Sequence, residues 1–394
     1  MKRTTCRSCG SGSLEHVLDL GEQSPSNALL TRFDETEKKY PLQLVLCTNC
    51  WLMQTGFDVP HEELFNASYP YYSGSSQQWR EHCKSYEAMI TRRLGLHAGS
   101  YVIEVGGNDG TLLQHFHCDT LNVEPSVGPA SVAMRKNIPT VVDRFQHITG
   151  NPRGADLIIA NNVMAHDPDL NGFAAAIRRN LAARGTCTIE FPWAVELLDH
   201  CEFDTIYHEH YSYLSLTALE HLFARHGLAT YDAEYLPVHG GSIRVYVTHA
   251  DKFTGASAYF YNLLDQEVLL RQMRSYEVFR ERAFNCAGAL HAFLKAHPTG
   301  VFGAGAAAKA TVFANFAGLT HKDILAVGDN TPAKIGKYLP GSRIPIVVEA
   351  VILTQQPEYI VIFPWNWREE ISAKYRGMGY EGAFVVAVPS LDLF

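Results

Sequence analysis

The stretch Tyr101-Val-Ile-Glu-Val-Gly-Gly-Asn-Asp-Gly110 runs an apolar strand into a Gly-rich turn, and Thr111-Leu-Leu-Gln-His-Phe116 beyond it has the spacing of an amphipathic helix. α/β proteins hold nucleotides at such a junction, because the turn sits at the carboxyl end of a parallel strand and glycine lets the backbone approach a ligand closely. Glu104 closes the strand, and Gly106 and Gly107 permit the tight turn. One strand later, Leu121-Asn-Val-Glu124-Pro ends in a carboxylate where a ribose diol would need a bidentate acceptor. That second acidic strand end separates a cofactor site from an ordinary βα turn, in which glycine serves sterics alone.

Missing residues narrow the choice of nucleotide. Gly106-x-Asn108-x-Gly110 lacks the third glycine of the dinucleotide fingerprint and has no Gly-Lys-Ser/Thr phosphate cradle. A pyrophosphate is therefore not the expected guest. S-adenosylmethionine carries a sulfonium and an amino acid end instead of phosphates, and Glu104, Asn108 and Asp109 can supply the carboxylate and amide groups it needs nearby.

With 394 residues the chain exceeds what one core usually holds, and its 46% apolar, 19% charged make-up is that of a soluble globular protein. The sequence has no run of eighteen apolar residues, and Met1-Lys-Arg-Thr-Thr-Cys6 carries no apolar signal region, so a cytoplasmic location is expected. A net charge of -8 argues against a general affinity for nucleic acid or an anionic membrane and favours a small-molecule partner.

Four of the nine cysteines form two knuckles, Cys6-Arg-Ser-Cys9 and Cys47-Thr-Asn-Cys50. Two Cys-x-x-Cys pairs can set four thiolates around zinc in a closed site that holds a fold together and does no chemistry. The 37 residues between them, 10–46, make a longer spacing than a common zinc ribbon. Cys83, Cys118, Cys187, Cys201 and Cys286 stand singly in apolar surroundings and read as small buried residues. The first 75 residues are therefore expected to form a small zinc-stapled module, with a strand at Tyr40–Leu46 leading into the second knuckle. Tyr69-Pro-Tyr-Tyr-Ser-Gly-Ser-Ser76, which contains Tyr71 and Tyr72, reads either as an aromatic-covered linker or as a substrate-facing loop, and helical sequence follows from Gln77 to Leu94.

Short apolar strands then alternate with amphipathic helices: Tyr101–Val105, Leu121–Glu124, Asp156–Ala160 and Thr186–Phe191. This is a parallel-sheet pattern, in which ligands collect at the carboxyl ends of strands. Asn161, Asn162 and His166 stand at such an end, although a histidine at a junction also suits capping or packing. In Thr205-Ile-Tyr-His-Glu-His-Tyr-Ser-Tyr-Leu-Ser215, two histidines, a glutamate and three tyrosines fall within seven positions, a density that suggests proton transfer. An extended conformation would put Tyr207, Glu209 and Tyr211 on one face and His208 and His210 on the other, so the two histidines would not easily share a metal ion. A polar surface loop is the alternative. His239-Gly-Gly-Ser-Ile-Arg244 offers paired glycines for close ligand approach, or simply a β-turn.

A long helical stretch from Ser257 to Ala296 precedes a second strand and Gly-rich turn, Gly300-Val-Phe-Gly-Ala-Gly-Ala-Ala-Ala-Lys309. Gly303, Gly305 and Ala308 have dinucleotide spacing, and Lys309 adds a cation near a helix N-terminus. Strands are expected at Ile324–Val327, Tyr359–Phe363 and Phe384–Val388, and Asp329 stands where a NAD site keeps its ribose acceptor. On pattern alone this half reads as a dehydrogenase domain.

Taken in order, Cys6/Cys9/Cys47/Cys50, the Tyr69–Ser76 stretch, Ile103-Glu-Val-Gly-Gly-Asn-Asp-Gly110, Asn161-Asn-Val-Met-Ala-His166, Tyr207-His-Glu-His210, His239-Gly-Gly-Ser-Ile-Arg-Val245 and Gly303-Ala-Gly-Ala-Ala-Ala-Lys309 span nearly the whole chain. Together they resemble the nucleotide-sugar C-methyltransferase family of antibiotic deoxysugar and bacterial glycan pathways. The resemblance implies a zinc-binding module at 1–75, a class I, Rossmann-like S-adenosylmethionine methyltransferase core at 76–255, and a Rossmann-like α/β domain at 256–394. In the family that last domain helps hold the nucleotide-sugar without NAD, which sets the dehydrogenase reading aside. By the same resemblance His210 matches the family's base, Tyr207 and Glu209 match its neighbours, and Tyr71 falls in the motif of a substrate-loop tyrosine. Two positions depart from the pattern: Gly107 stands where the family commonly has Ser or Cys, and His208 replaces a residue that varies.

Carbon methylation needs a carbanion, which a 4-keto sugar offers at C3 as an enolate. The roles that the resemblance implies fit that chemistry. His210 removes the C3 proton, Glu209 or a tyrosine orients it, and Tyr71, Tyr207 and His166 are available to the enolate oxygen. Tyr72, His239, Arg244 and Lys309 are the expected substrate contacts. An O- or N-methyltransferase, or a sugar-nucleotide binding protein without turnover, remain the other classes; the oligomeric state is not readable from the sequence, and a monomer is compatible with it.

Overall fold

A computed structural model describes residues 1–64, 72–75, 77–149, 152–238, 240–298 and 300–394. Tyr71 and His239 lie outside the described residues. The first sheet is built from β1 (Leu14–Gln23), β2 (Tyr40–Cys47) and β3 (Met53–Thr55), paired antiparallel in that order. Its second strand ends on Cys47, so the knuckle begins where the sheet stops.

The central sheet begins with β4 (Tyr101–Val105), β5 (Asp119–Val123), β6 (Thr140–Val141), β7 (Ala155–Asn161) and β8 (Leu181–Pro192), all paired parallel with one another. The Leu-Ile-Ile-Ala run of β7 is buried on both faces, as a parallel strand covered by helices must be. The chain then leaves this sheet. β9 (Ser212–Tyr213) joins β3 of the first sheet, with Met53 opposite Tyr213. It returns as β10 (Leu228–Leu236) and β11 (Ser242–His249), giving the order β10-β11-β8-β7-β4-β5-β6 with β11 antiparallel to both neighbours.

The third sheet contains β12 (Val301–Ala304), β13 (Val327–Asp329), β14 (Ile346–Val348), β15 (Tyr359–Ile362), β16 (Ala383–Val386) and β17 (Asp392–Leu393). Its order is β14-β13-β12-β15-β16-β17, parallel except for the last strand. The long helical stretch is broken into Ala258–Gln266, a 3-10 turn at Glu267–Arg271, and Met273–Ala296. At the break, buried Glu267 accepts hydrogen bonds from Leu216 N, Thr217 N and Trp193 Nε1, capping the helix Leu216–Arg225 from a distant part of the chain.

Two expectations are corrected. The amphipathic helix after Gly110 is a single 3-10 turn, Leu113–His115. Only residues 111–118 separate the glycine turn from Asp119, where β5 begins, which leaves no length for a helix that also crosses back over the sheet. Ahead of β9, the residues Tyr207–His210 are not extended: His210 N donates to Tyr207 O at 2.9 Å and closes a turn. Among the described residues no helix is long and apolar enough to cross a membrane.

Candidate active site

Both glycines of the first turn are sterically required. Gly106 has φ +63° and a Cβ there would lie 2.3 Å from Val163 Cγ1, while a Cβ on Gly107 would lie 2.4 Å from Asn122 Oδ1 and 2.8 Å from Glu104 Oε2. The departure at Gly107 thus has a local reason, since the Glu104 carboxylate and the Asn122 amide occupy the space a side chain would take. Glu104 is 6% exposed. Burial first, and then the charges of Glu124 and Asp109, push its carboxyl up to about 8. Glu124 accepts from Asn108 N at 3.0 Å and from Ser126 N at 2.7 Å. Asn108, at φ +50°, accepts from Ser73 N at 3.0 Å.

Asp109 does not line the cavity described next; it accepts from Thr111 Oγ1 at 2.6 Å and Gly74 N at 3.1 Å, fastening the segment 72–75. Tyr72 is exposed, with its hydroxyl 3.0 Å from where a Gly128 Cβ would stand, and it does not line the cavity described next.

A cavity of about 580 Å³ opens at the carboxyl ends of β4, β5, β7 and β8. Glu104, Gly106, Asn108, Glu124, Asn161 and Asn162 line one end, and Tyr207, His166, His210, Lys309 and Lys334 also face it. Asn161 Nδ2 and Oδ1, Asn162 Oδ1 and Glu104 Oε2 are buried with no hydrogen-bond partner among the described residues. Such groups are costly unless something satisfies them. Their chemistry, amide donors and acceptors beside a carboxylate, fits the amino acid and ribose parts of S-adenosylmethionine.

Around His210 the bonding fixes the tautomer. Nδ1 lies 3.0 Å from Thr205 O, which can only accept, so Nδ1 carries the proton and Nε2, at 2.8 Å, accepts from the Tyr207 hydroxyl. Burial, then the neighbouring His166, hold the His210 imidazole well below the usual histidine range. The two imidazole centroids are 4.7 Å apart, and His166 Nδ1 donates to Glu209 O at 2.8 Å. The turn also revises the facing of the segment: Tyr207 and His210 share the cavity, whereas Glu209 does not line it. Glu209 is buried and accepts from Asn27 Nδ2 at 3.0 Å. His208 is buried against Tyr40, and desolvation holds it down at about 4.

The third sheet closes the cavity's other side. Lys309 Nζ donates to Asn366 Oδ1 at 3.0 Å and lies 4.1 Å over the Trp365 ring. Lys334 Nζ donates to Ala306 O at 2.9 Å. The helix Ala308–Phe316 starts at this wall with no side-chain cap on its first N–H groups. Asp329, the ribose acceptor of the dehydrogenase reading, instead accepts from Ala306 N at 3.0 Å and Thr331 N at 2.8 Å.

Arg244 lies outside the cavity lining, where β11 pairs with β8 and β10, bonded to Glu190 at 2.8 Å and Glu234 at 2.6 Å and stacked 4.5 Å over Tyr86. The cross-strand register puts both glutamates opposite it. Among the lining residues that escaped the sequence reading are Asn27, Glu202 and Asn366. Glu202 is 2% exposed, and burial pushes its carboxyl up to about 7. Nothing in the motif around it marks it, because its place is set by the 3-10 turn Phe203–Thr205 that follows.

The metal site is formed as expected. Cys6 and Cys50 sulfurs are 3.6 Å apart, Cys9 and Cys47 3.5 Å, and all four lie within 4.8 Å of one another. A tetrahedron of ~2.3 Å zinc–sulfur bonds has edges of roughly 3.8 Å, so the four thiolates fit zinc.

A doubly wound parallel sheet with an antiparallel strand inserted beside its far edge, and a glycine turn feeding a cavity of unsatisfied amide and carboxylate groups, define a class I S-adenosylmethionine-dependent methyltransferase. Residues 6–65 match a zinc-binding domain, 78–233 a methyltransferase domain and 237–389 the C-terminal domain of C-methyltransferases. Over 400 aligned residues the chain is 30% identical to the C-methyltransferase NovU of Streptomyces niveus, covering 98% of this chain and 95% of that protein. It belongs to the C-methyltransferase family and uses S-adenosylmethionine with a structural zinc. Among solved structures, the PH0226 protein of Pyrococcus horikoshii OT3 aligns with a TM-score of 0.39 at 16% identity, over 45% of this chain and 94% of its own. Magnesium protoporphyrin IX methyltransferase of Synechocystis PCC 6803 aligns with a TM-score of 0.35 at 12% identity, over 43% of this chain and 79% of its own.

Proposed function

We propose that the acceptor is a nucleotide-linked 4-keto-deoxy sugar, methylated at C3 through an enolate. The observation that carries this reading is a neutral imidazole, His210, sharing one cavity with the unsatisfied groups of the cofactor end and with Lys309 and Lys334 opposite. When bound, S-adenosylmethionine supplies an electrophilic methyl group. The remaining work falls to side chains.

His210 Nε2 takes the C3 proton, either directly once Tyr207 swings aside or by relay, with Tyr207 giving its own proton to Nε2 as it accepts the substrate's. The C–H electron pair moves into the C3–C4 bond and the ketone oxygen takes the charge. Tyr207 is a described donor for that oxygen and Tyr71 would join it by resemblance, whereas the Nδ1 proton of His166 is committed to Glu209 O, which leaves its Nε2 an acceptor. Two lysines and an uncapped helix N-terminus suit the diphosphate of a sugar nucleotide. An O- or N-methyltransferase would need no base placed against a C–H bond.

The test incubates the protein with methyl-labelled S-adenosylmethionine and dTDP-, GDP- and CDP-linked 4-keto-6-deoxy sugars, and locates the label by NMR. Label on sugar C3 is expected; label on oxygen or nitrogen overturns the enolate.

A further inference from the structure

The turn that carries Tyr207 and His210 is anchored from outside the methyltransferase sheet. Directly after it, Thr55 N donates to Tyr211 O at 3.1 Å, and β9 pairs with β3 of the zinc module. The Tyr211 hydroxyl donates to Val59 O at 2.9 Å, and the Arg7 guanidinium stands 5.3 Å over its ring. Inside the turn, Glu209 is 1% exposed, takes Asn27 Nδ2 on one carboxylate oxygen, and has no partner among the described residues on the other. Asn27 belongs to the zinc module and lines the cavity.

Both zinc knuckles reach β3, the strand that receives β9. Only Trp51 and Leu52 separate Cys50 from its first residue, and Cys47 N donates to Leu52 O at 3.0 Å. From the other knuckle, Arg7 N donates to Gln54 Oε1 at 2.9 Å in the middle of β3. A continuous set of bonds therefore runs from the four cysteines through β3 and β9 to the residue after His210. The methyltransferase side adds two ties, Tyr211 N to Ala165 O at 2.9 Å and His166 Nδ1 to Glu209 O.

We infer that the zinc module is a positioning element of the active site, holding the 207–210 turn so that His210 keeps its Nδ1 proton on Thr205, with Asn27 the positioning residue that acts through Glu209. The catalytic consequence rests on the reading of His210 as the base; the positioning does not. Without the Asn27 donor, a buried carboxyl group in the middle of the turn loses its side-chain partner, and the turn must shift or take in water. The metal acts by the other route, at the far end of the bonds that run through β3 and β9 to Tyr211.

The experiment uses full-length protein with ¹⁵N-labelled histidine and no sugar, so that a direct contact between Asn27 and substrate has no effect on the readout. Two-bond ¹⁵N–¹H correlations report the tautomer of His210, assigned with His210→Asn. Asn27→Leu is expected to keep its zinc and its S-adenosylmethionine affinity while the Nδ1–H pattern of His210 broadens or mixes. Its kcat for methyl transfer is expected to fall roughly ten- to a hundredfold, with a smaller change in KM, the cost of a small misplacement. Tyr211→Phe, which removes one oxygen and its bond to Val59 O, is expected to give the same change at smaller size, as is chelation of the zinc. An unaltered His210 pattern in Asn27→Leu and Tyr211→Phe overturns the proposal, whatever happens to turnover. An altered pattern with full turnover supports the positioning and removes His210 from its role as base.

Discussion

His210 Nδ1 is tied to the backbone carbonyl of Thr205, five residues earlier, at 3.0 Å. A carbonyl has no proton to give, so this contact decides that the basic nitrogen of the ring is the one facing Tyr207 and the cavity. A catalytic histidine needs its lone pair aimed at the substrate, and here the main chain aims it.

Replacing His210 with Asn keeps a polar side chain of similar reach but removes the base. Methyl transfer is expected to drop by roughly 10²- to 10⁴-fold, the usual worth of a positioned base. S-adenosylmethionine affinity, measured by calorimetry, should stay within a factor of about three, because the cofactor end of the cavity is built from other strands. An equal loss of cofactor binding would make His210 structural.

The acid limb of the rate profile should also be displaced. Burial lowers the His210 pKa well below 6.5, so the ring stays neutral as pH falls through the ordinary histidine range and protonates only at still lower pH. A kcat/KM profile between pH 5 and 8 should therefore show no loss centred near 6.5. A half-maximal point there would assign the limb to an ordinary, solvated histidine.

Glu104 makes the opposite shift. With its carboxyl at about 8, it is mostly protonated at neutral pH in the free protein. A bound ammonium favours the carboxylate, so binding S-adenosylmethionine should release a proton, and affinity should rise with pH up to about 8, by at most about tenfold per unit. Calorimetry in buffers of different ionisation enthalpy measures the proton directly. Glu104→Gln should bind with no proton release, and an unchanged release in that variant would place the titrating group elsewhere.

Gly107→Ala tests the crowding beside that carboxylate. The new methyl would press on Asn122 Oδ1 and Glu104 Oε2 at 2.4 and 2.8 Å. We expect a loss of about 1–3 kcal/mol in stability and at least about a tenfold loss of cofactor affinity. A melt and a titration that both match the parent would mean the two side chains yield freely.

Lys309→Ala should raise the KM for a sugar nucleotide about tenfold while changing kcat less, since a charge-assisted phosphate contact contributes to binding before chemistry. The parent's KM should rise with salt and the variant's should rise less. Equal salt dependence in the two proteins would remove Lys309 from the diphosphate.

Much of this architecture was legible because hydrophobic periodicity is local. The Gln77–Leu94 helix and the Tyr101–Val105 strand have the bounds their patterns imply. The cysteine knuckles were readable because metal ligation leaves a fixed spacing. What escaped was decided by chain direction or by distant partners. The Tyr207–His210 facing depended on a turn that alternation cannot reveal, and Glu209 could not be told from a lining residue without knowing that Asn27, 182 positions away, would meet it. Arg244 looked like a ligand contact because it follows paired glycines, but the register of three strands delivered it to two glutamates.

The two residues of β9 tie the zinc module to a part of the chain more than 150 positions further on. Exchanging the first 75 residues for those of a relative would import a foreign β3 while Ser212 and Tyr213, its partner, stayed behind in the recipient. A working chimera should therefore carry Tyr207–Tyr213 along with the donor's zinc module, and drift in one segment should be inherited together with compensating drift in the other.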